Sequence, residues 1–175
     1  MHMKLFVLSS LFLSSTISAN SLNIQTLESN FKQSITNDQN AKIVYTGKMY
    51  AAQAKNQALW EYDTPIVKKI YYKDGKLVII EPELEQVIYA KLNKIPNILK
   101  LLKSAKKISE NTLQTRFNSI TYNITTAGNK IENIFYTDEM QNKVVISFTD
   151  EKVNSYINSD TFAYTIPADY DILEQ

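Results

Sequence analysis

Four strand-length runs in close succession between Ala58 and Leu92 constrain this chain more than any other stretch. The runs are Ala58–Tyr62, Ile66–Tyr72, Leu77–Ile80 and Gln86–Leu92. β-branched and aromatic residues fill them, whereas Asp63-Thr64-Pro65, Lys73-Asp74-Gly75-Lys76 and Glu81-Pro82-Glu83 separate them. Such runs suit a pleated, half-buried surface, and the separators suit turns. Asp74-Gly75 is a hairpin signal, because glycine accepts the positive φ of a tight turn. The stretch therefore reads as an antiparallel meander.

Strand patterns continue on both sides. Upstream, a strand begins at Thr26, with Leu27, Phe31 and Ile35 on one face beside Ser29 and Gln33. Lys42–Ala51 is a second strand, with Ile43, Tyr45 and Met49 on one face. Downstream, Thr112–Phe117, Ser119–Thr125, Lys130–Tyr136 and Lys143–Thr149 alternate, and Val153–Ile157 extends the last of them. Between the two sets the period changes. Ile95, Ile98, Leu99, Leu102 and Ala105 fall at helical spacing, and Lys100, Lys103, Lys106 and Lys107 lie on the other side. This predicts one amphipathic helix over Pro96–Lys107, with Pro96 in the first turn and lysines near the negative end.

About ten strands and one helix lack the crossovers of a parallel α/β sheet. The expected fold is mainly β (α+β): one large curled antiparallel sheet covered by the helix. Periodicity leaves two interiors open, either a fully packed core or a cavity for an apolar ligand. Alternation places Leu27, Phe31, Ile35, Met49, Trp60, Tyr71 and Val78 inward, and Ile95, Ile98, Leu99 and Leu102 on the helix facing them. Trp60 is the only tryptophan. Met49 has an adaptable side chain suited to a variable ligand.

The N-terminus reads as a secretory signal: Lys4, the apolar run Leu5–Leu13, then small residues ending at Ile17-Ser18-Ala19. The run is too short to span a bilayer. The expected organisation is a signal peptide over residues 1–19 and one domain over 20–175. Cleavage after Ala19 removes Lys4 and His2. Counts of 19 basic and 18 acidic residues then become equal, with no histidine left. The balance gives no support for a nucleic-acid partner or an anionic membrane surface. With no cysteine as well, the mature chain has no disulfide, no His-dependent triad and no His/Cys metal site. Glu81, Glu83 and Glu85 bracket Pro82, but three carboxylates there read as a solvated turn rather than an acid–base pair. Tyr71, Tyr72 and Tyr89 read as strand residues rather than acid catalysts. No catalytic residue, metal or cofactor is expected.

Several pieces also occur in a familiar order: Leu59-Trp60, Pro65, Asp74-Gly75-Lys76 and Pro82-Glu83-Leu84-Glu85-Gln86. Phe31-Lys32-Gln33, Gly47-Lys48-Met49-Tyr50 and the ending Phe162-Ala163-Tyr164-Thr165-Ile166-Pro167 join them. From about Thr26 to Pro167 the chain resembles the LolA family of periplasmic lipoprotein carriers. The resemblance implies an unclosed β-barrel with a helical lid over a hydrophobic cavity. That cavity takes the acyl chains of lipoproteins. It further implies a periplasmic, monomeric, non-enzymatic carrier. An inner-membrane ATP-driven exporter is the implied donor, and the outer membrane, with or without a receptor, the destination. Family members often carry an Arg-Pro element between the second and third strands, whose arginine latches the lid. Gln53-Ala54-Lys55-Asn56-Gln57 stands there instead, leaving Lys55 as the candidate. Lysine lacks the planar fork of arginine. The segment Asn20–Gln25, where the family usually has a helix, has room for little more than a turn. A carrier of another amphiphile, such as a glycolipid or fatty acid, and a packed β interaction module remain the alternatives.

Overall fold

The computed structural model describes residues 22–73, 75–91 and 97–174. The signal region, Asp74 and Ile95 lie outside the described residues. Among the described residues twelve strands form a single sheet. β1 (Thr26–Thr36), β2 (Lys42–Ala52), β3 (Gln57–Thr64), β4 (Lys68–Lys73), β5 (Lys76–Glu81) and β6 (Gln86–Lys91) make the antiparallel meander. A helix, α1 (Ile98–Ser104), leads to β7 (Lys106–Ser109), β8 (Thr112–Phe117), β9 (Ile120–Ala127), β10 (Lys130–Thr137) and β11 (Lys143–Val153). β11 closes against β1. A final strand, β12 (Asp171–Glu174), pairs in parallel with β6. The order is β12-β6-β5-β4-β3-β2-β1-β11-β10-β9-β8-β7, so β12 and β7 are unjoined edges.

The sheet must curl. Helix α1 packs on both β2 and β8, which lie five strand spacings apart in the order. On a flat sheet they would be about 24 Å apart, whereas a seven-residue helix is only about 10 Å long. Curling brings Leu27 and Phe31 of β1, Met49 of β2, Ala58 of β3, Tyr72 of β4 and Ile146 and Phe148 of β11 into one cluster. Ile98, Leu99, Leu101 and Leu102 of α1 complete it. Leu22 and Ile24, ahead of β1, also pack there. Gly47 is required on β2. A Cβ at that position would overlap the Glu61 carbonyl oxygen and lie 3.0 Å from the Phe31 ring.

Helix α1 is shorter than the predicted Pro96–Lys107. Asn97 caps it, its side chain accepting from the Leu99 amide, and Ala105 is already extended. Lys106 and Lys107, assigned to the helix by their spacing, belong to edge strand β7 and pair with Gln114 and Leu113 of β8. Backbone pairing across the sheet outweighs a helical pattern that has no further apolar face to bury. Likewise β11 ends at Val153, where Asn154 turns with φ 58°, so residues 154–157 do not prolong it.

A second cluster lies on the sheet's other face. The segment after β11 crosses back over the meander and places Phe162 among Leu59, Tyr71, Val78, Ile80 and Val87, with Ile157, Ile166 and Tyr170 around them. The Tyr164 ring lies 5.1 Å from that of Tyr71. Tyr71 and Val78 are therefore not inward residues beneath the helix. Register explains the correction. Trp60 pairs with Ile70 and Ala58 with Tyr72, while Tyr72 pairs with Leu77. Residues one position away point to the opposite face.

Candidate functional site

The concave face beneath α1 divides into a packed part and an unfilled part. Leu27, Phe31, Met49, Leu99 and Leu102 belong to the packed part, and Ile35 packs against its margin. Beside it lies a half-open cavity of about 380 Å³. Trp60, Tyr62 and Ile70 form one wall, and Ile120, Tyr122, Ile134, Tyr136 and Ile146 the other. Ile98 and Leu101 extend the helix side, and Gln33, Asp138, Glu139 and Met140 reach the rim. Of the sequence-predicted residues, Trp60 and Ile98 line this space. Ile95 lies outside the described residues.

Alternation accounts for both walls. Trp60 and Tyr62 are two apart on β3, and Ile70 is the cross-strand partner of Trp60. Ile120 and Tyr122 are two apart on β9, as are Ile134 and Tyr136 on β10. The same two-residue step from Trp60 identifies Tyr62 in the sequence. Choosing Tyr71 rather than Ile70 is a one-residue slip of face. Leu101 was legible too, lying three residues from Ile98 on the helix.

The walls are aromatic and neutral. Phe31 meets Trp60 and Tyr62 edge-on, each with ring centroids 5.0 Å apart. Tyr122 and Tyr136 stack obliquely at 4.6 Å. The Tyr62 hydroxyl donates to Gln33 Oε1 at 3.0 Å. Burial pushes the phenols of Tyr62, Tyr136 and Tyr122 upward, neighbouring tyrosines adding to the first two and Glu139 to the third. All three thus stay uncharged at neutral pH. Lys68 Nζ lies 4.8 Å above the Tyr62 ring and 5.3 Å above that of Tyr45.

Among the described residues, a side-chain contact meets the helix at each end. At its start Asn97 Nδ2 donates to Asn56 Oδ1 at 3.4 Å. At its end the Ser104 and Thr115 hydroxyls lie 2.7 Å apart. Lys55 is exposed. Its neighbour Asn56, rather than Lys55, connects this turn to the helix. Glu83 and Glu85 are exposed on a turn, and Glu81 accepts from Gln86. None of the three lines the cavity. Among the described residues no group of three His, Cys, Asp or Glu side chains is placed to hold a metal ion. No described helix is long and apolar enough to cross a membrane. The arrangement offers an apolar receptacle with neutral walls and two carboxylates, Asp138 and Glu139, at its rim.

Residues 22–116 match the family model described as outer membrane lipoprotein carrier protein LolA. An outer-membrane lipoprotein carrier protein of Campylobacter jejuni is 39% identical over 152 residues, covering 87% of this chain and 88% of that protein. One from Helicobacter pylori is 32% identical over 150 residues, covering 86% and 79%. Among solved structures, an uncharacterized conserved protein from Thermus thermophilus superposes with a TM-score of 0.54 at 10% identity, covering 87% of this chain and 92% of that one. That last likeness is one of fold.

Proposed function

The chain belongs to the family of outer membrane lipoprotein carrier proteins, LolA, and from that premise we propose that it holds lipoprotein acyl chains in the cavity beside α1. The family is one of non-enzymatic carriers. The observation that carries the reading is the half-open cavity of about 380 Å³, walled by apolar and neutral aromatic side chains. Its size falls within the ~300–1,000 Å³ typical of ligand pockets. With a methylene taken as about the size of a water molecule, ~30 Å³, it holds about a dozen. At ~0.8 kcal/mol per methylene, that burial is worth about 10 kcal/mol.

Cargo with more than one chain needs more room. Displacing α1 would provide it, because Ile98 and Leu101 bound the cavity while Leu99 and Leu102 fill the space beside it. Contacts at the two helix ends are compatible with such movement, and release follows when a receiver binds the chains more tightly. The carrier acts as a monomer in the periplasm. Residues 1–19 direct export and are removed after Ala19, leaving residues 20–175 as the working domain. An inner-membrane ATP-driven exporter loads it, and it delivers to the outer membrane, directly or through a receptor.

The test is to purify the protein from its own periplasm and identify what it carries by mass spectrometry. Acylated polypeptides support the reading. Bare lipid shifts it to a carrier of another amphiphile. Nothing bound, together with unchanged Trp60 fluorescence on adding a lipopeptide, overturns it.

A further inference from the structure

The cavity opens at one end of the strands, and the charged side chains in its lining, Asp138 and Glu139, are both carboxylates. Antiparallel pairing puts the β1–β2, β3–β4, β5–β6, β8–β9 and β10–β11 loops together there. These loops are residues 37–41, 65–67, 82–85, 118–119 and 138–142. They carry five carboxylates, Asp38, Glu83, Glu85, Asp138 and Glu139, and no lysine or arginine. The last two belong to the cavity lining, which among the described residues contains no cationic side chain.

Asp138 is fixed by its own loop. Its Oδ1 accepts from the amides of Met140 and Asn142 at 2.9 and 2.8 Å, and its Oδ2 from Asn142 Nδ2 at 2.9 Å. Glu139 follows it, exposed, and its charge is felt at Tyr122 in the wall. Lys42, Lys68 and Lys143 begin their strands at the same end, outside the lining, with Lys68 engaged by the Tyr45 and Tyr62 rings.

Resting on the carrier reading above, we propose that Asp138 and Glu139 make the mouth a charge filter. The cavity takes acyl chains whose polar end is neutral or cationic and discriminates against anionic amphiphiles. A chain seated in the cavity leaves its polar end at the mouth, where water is partly excluded and charges interact more strongly than in bulk solvent. An anionic head there meets two carboxylates, one unable to turn away. A cationic head meets the same groups favourably. Such a filter keeps a carrier working between anionic bilayers from filling with their phospholipids.

Three probes with the same dodecyl chain, each below its micelle concentration, test this: dodecyl phosphate, dodecyl maltoside and dodecyltrimethylammonium. Trp60, in the cavity wall, reports binding by fluorescence. At low ionic strength the trimethylammonium probe is expected to bind at least tenfold more tightly than the phosphate, with the maltoside between. The ratio should shrink with added salt. It should fall below about threefold in Glu139→Gln and invert in Glu139→Lys, two exposed-site changes compatible with folding. Equal affinity for the cationic and anionic probes, with the maltoside bound, overturns the filter and leaves the carrier reading standing. Failure of all three probes to bind overturns the carrier reading itself.

Discussion

Asn97 ties the helix to the turn before β3: its Nδ2 donates to Asn56 Oδ1 at 3.4 Å, while its Oδ1 accepts from the Leu99 amide at 2.9 Å. One side chain thus caps α1 and anchors it to the wall of the barrel. Asn56 sits at φ 49°, a conformation asparagine tolerates better than most residues. The family resemblance assigns a lid contact to an arginine between the second and third strands; at that place in this chain Asn56 meets Asn97.

Asn97→Ala removes both functions of that side chain and is expected to cost about 1 kcal/mol of stability. Amide exchange at Leu101, whose N–H bonds to the Asn97 carbonyl, should quicken. Asn56→Gly keeps the backbone conformation and removes only the tether, so it should quicken the same exchange by less. Unchanged exchange in both variants would remove the tether from the account of lid motion.

Gly47→Ala is expected to be among the most disruptive single-methyl additions in the chain. Its Cβ would overlap the Glu61 carbonyl, in a backbone that cannot swing aside as a side chain can. Overpacking of this kind costs about 1–3 kcal/mol or more, lowering the thermal midpoint by several degrees. A midpoint equal to that of the parent protein would show that β2 and β3 can separate locally without penalty.

The two faces of the meander should respond differently. Ile70→Asn and Leu101→Asn place amides in the cavity wall and are expected to weaken binding of a dodecyl probe at least tenfold. Val78→Ala, on the face covered by Phe162, should cost about 2 kcal/mol of stability yet leave probe affinity within twofold. Titration of Trp60 fluorescence alongside thermal melts separates the outcomes. Loss of binding in Val78→Ala without unfolding would move the site to the other face.

Alkaline pH should unfold the protein through its buried phenols. Burial raises Tyr62 and Tyr136 from the ordinary value of 10.0. Above pH 10 the unfolded chain has released these protons while the folded chain retains them. The unfolded state then binds fewer protons, and stability falls as pH rises. The contribution is complete below pH 10 and is progressively lost above it. Thermal midpoints between pH 8 and 11 should decline less steeply in Tyr62→Phe and Tyr136→Phe. Tyrosinate absorbance of the folded protein should show these phenols ionising last.

Much of the architecture was legible because it is local. Gly75, with φ 77°, sits where the Asp-Gly turn was expected, and each run of the meander from Ala58 onward contains a strand, the second starting at Lys68 rather than Ile66. Less of the site could be read. Of the residues expected from alternation and helical spacing, Trp60 and Ile98 line the candidate cavity; Tyr62, Ile120, Tyr122, Ile134 and Tyr136 line it too but were not expected, because their wall depends on β9 and β10 reaching around to face β3. No local pattern in either segment reports that meeting.

The sequence alone determined the strand-and-turn rhythm and the placing of one amphipathic helix, both consequences of residue type and short-range periodicity. Tertiary structure decided which face of each strand is interior. A strand has two faces, and here both are covered, one by α1 and the other by the returning segment around Phe162. Both sets of side chains are therefore apolar, alternation loses its sign, and only contacts between residues far apart in the chain separate Ile70 from Tyr71. Curvature likewise decided the cavity, since the gap between β3 and β10 is set by how the whole sheet bends and by where the short helix rests across it.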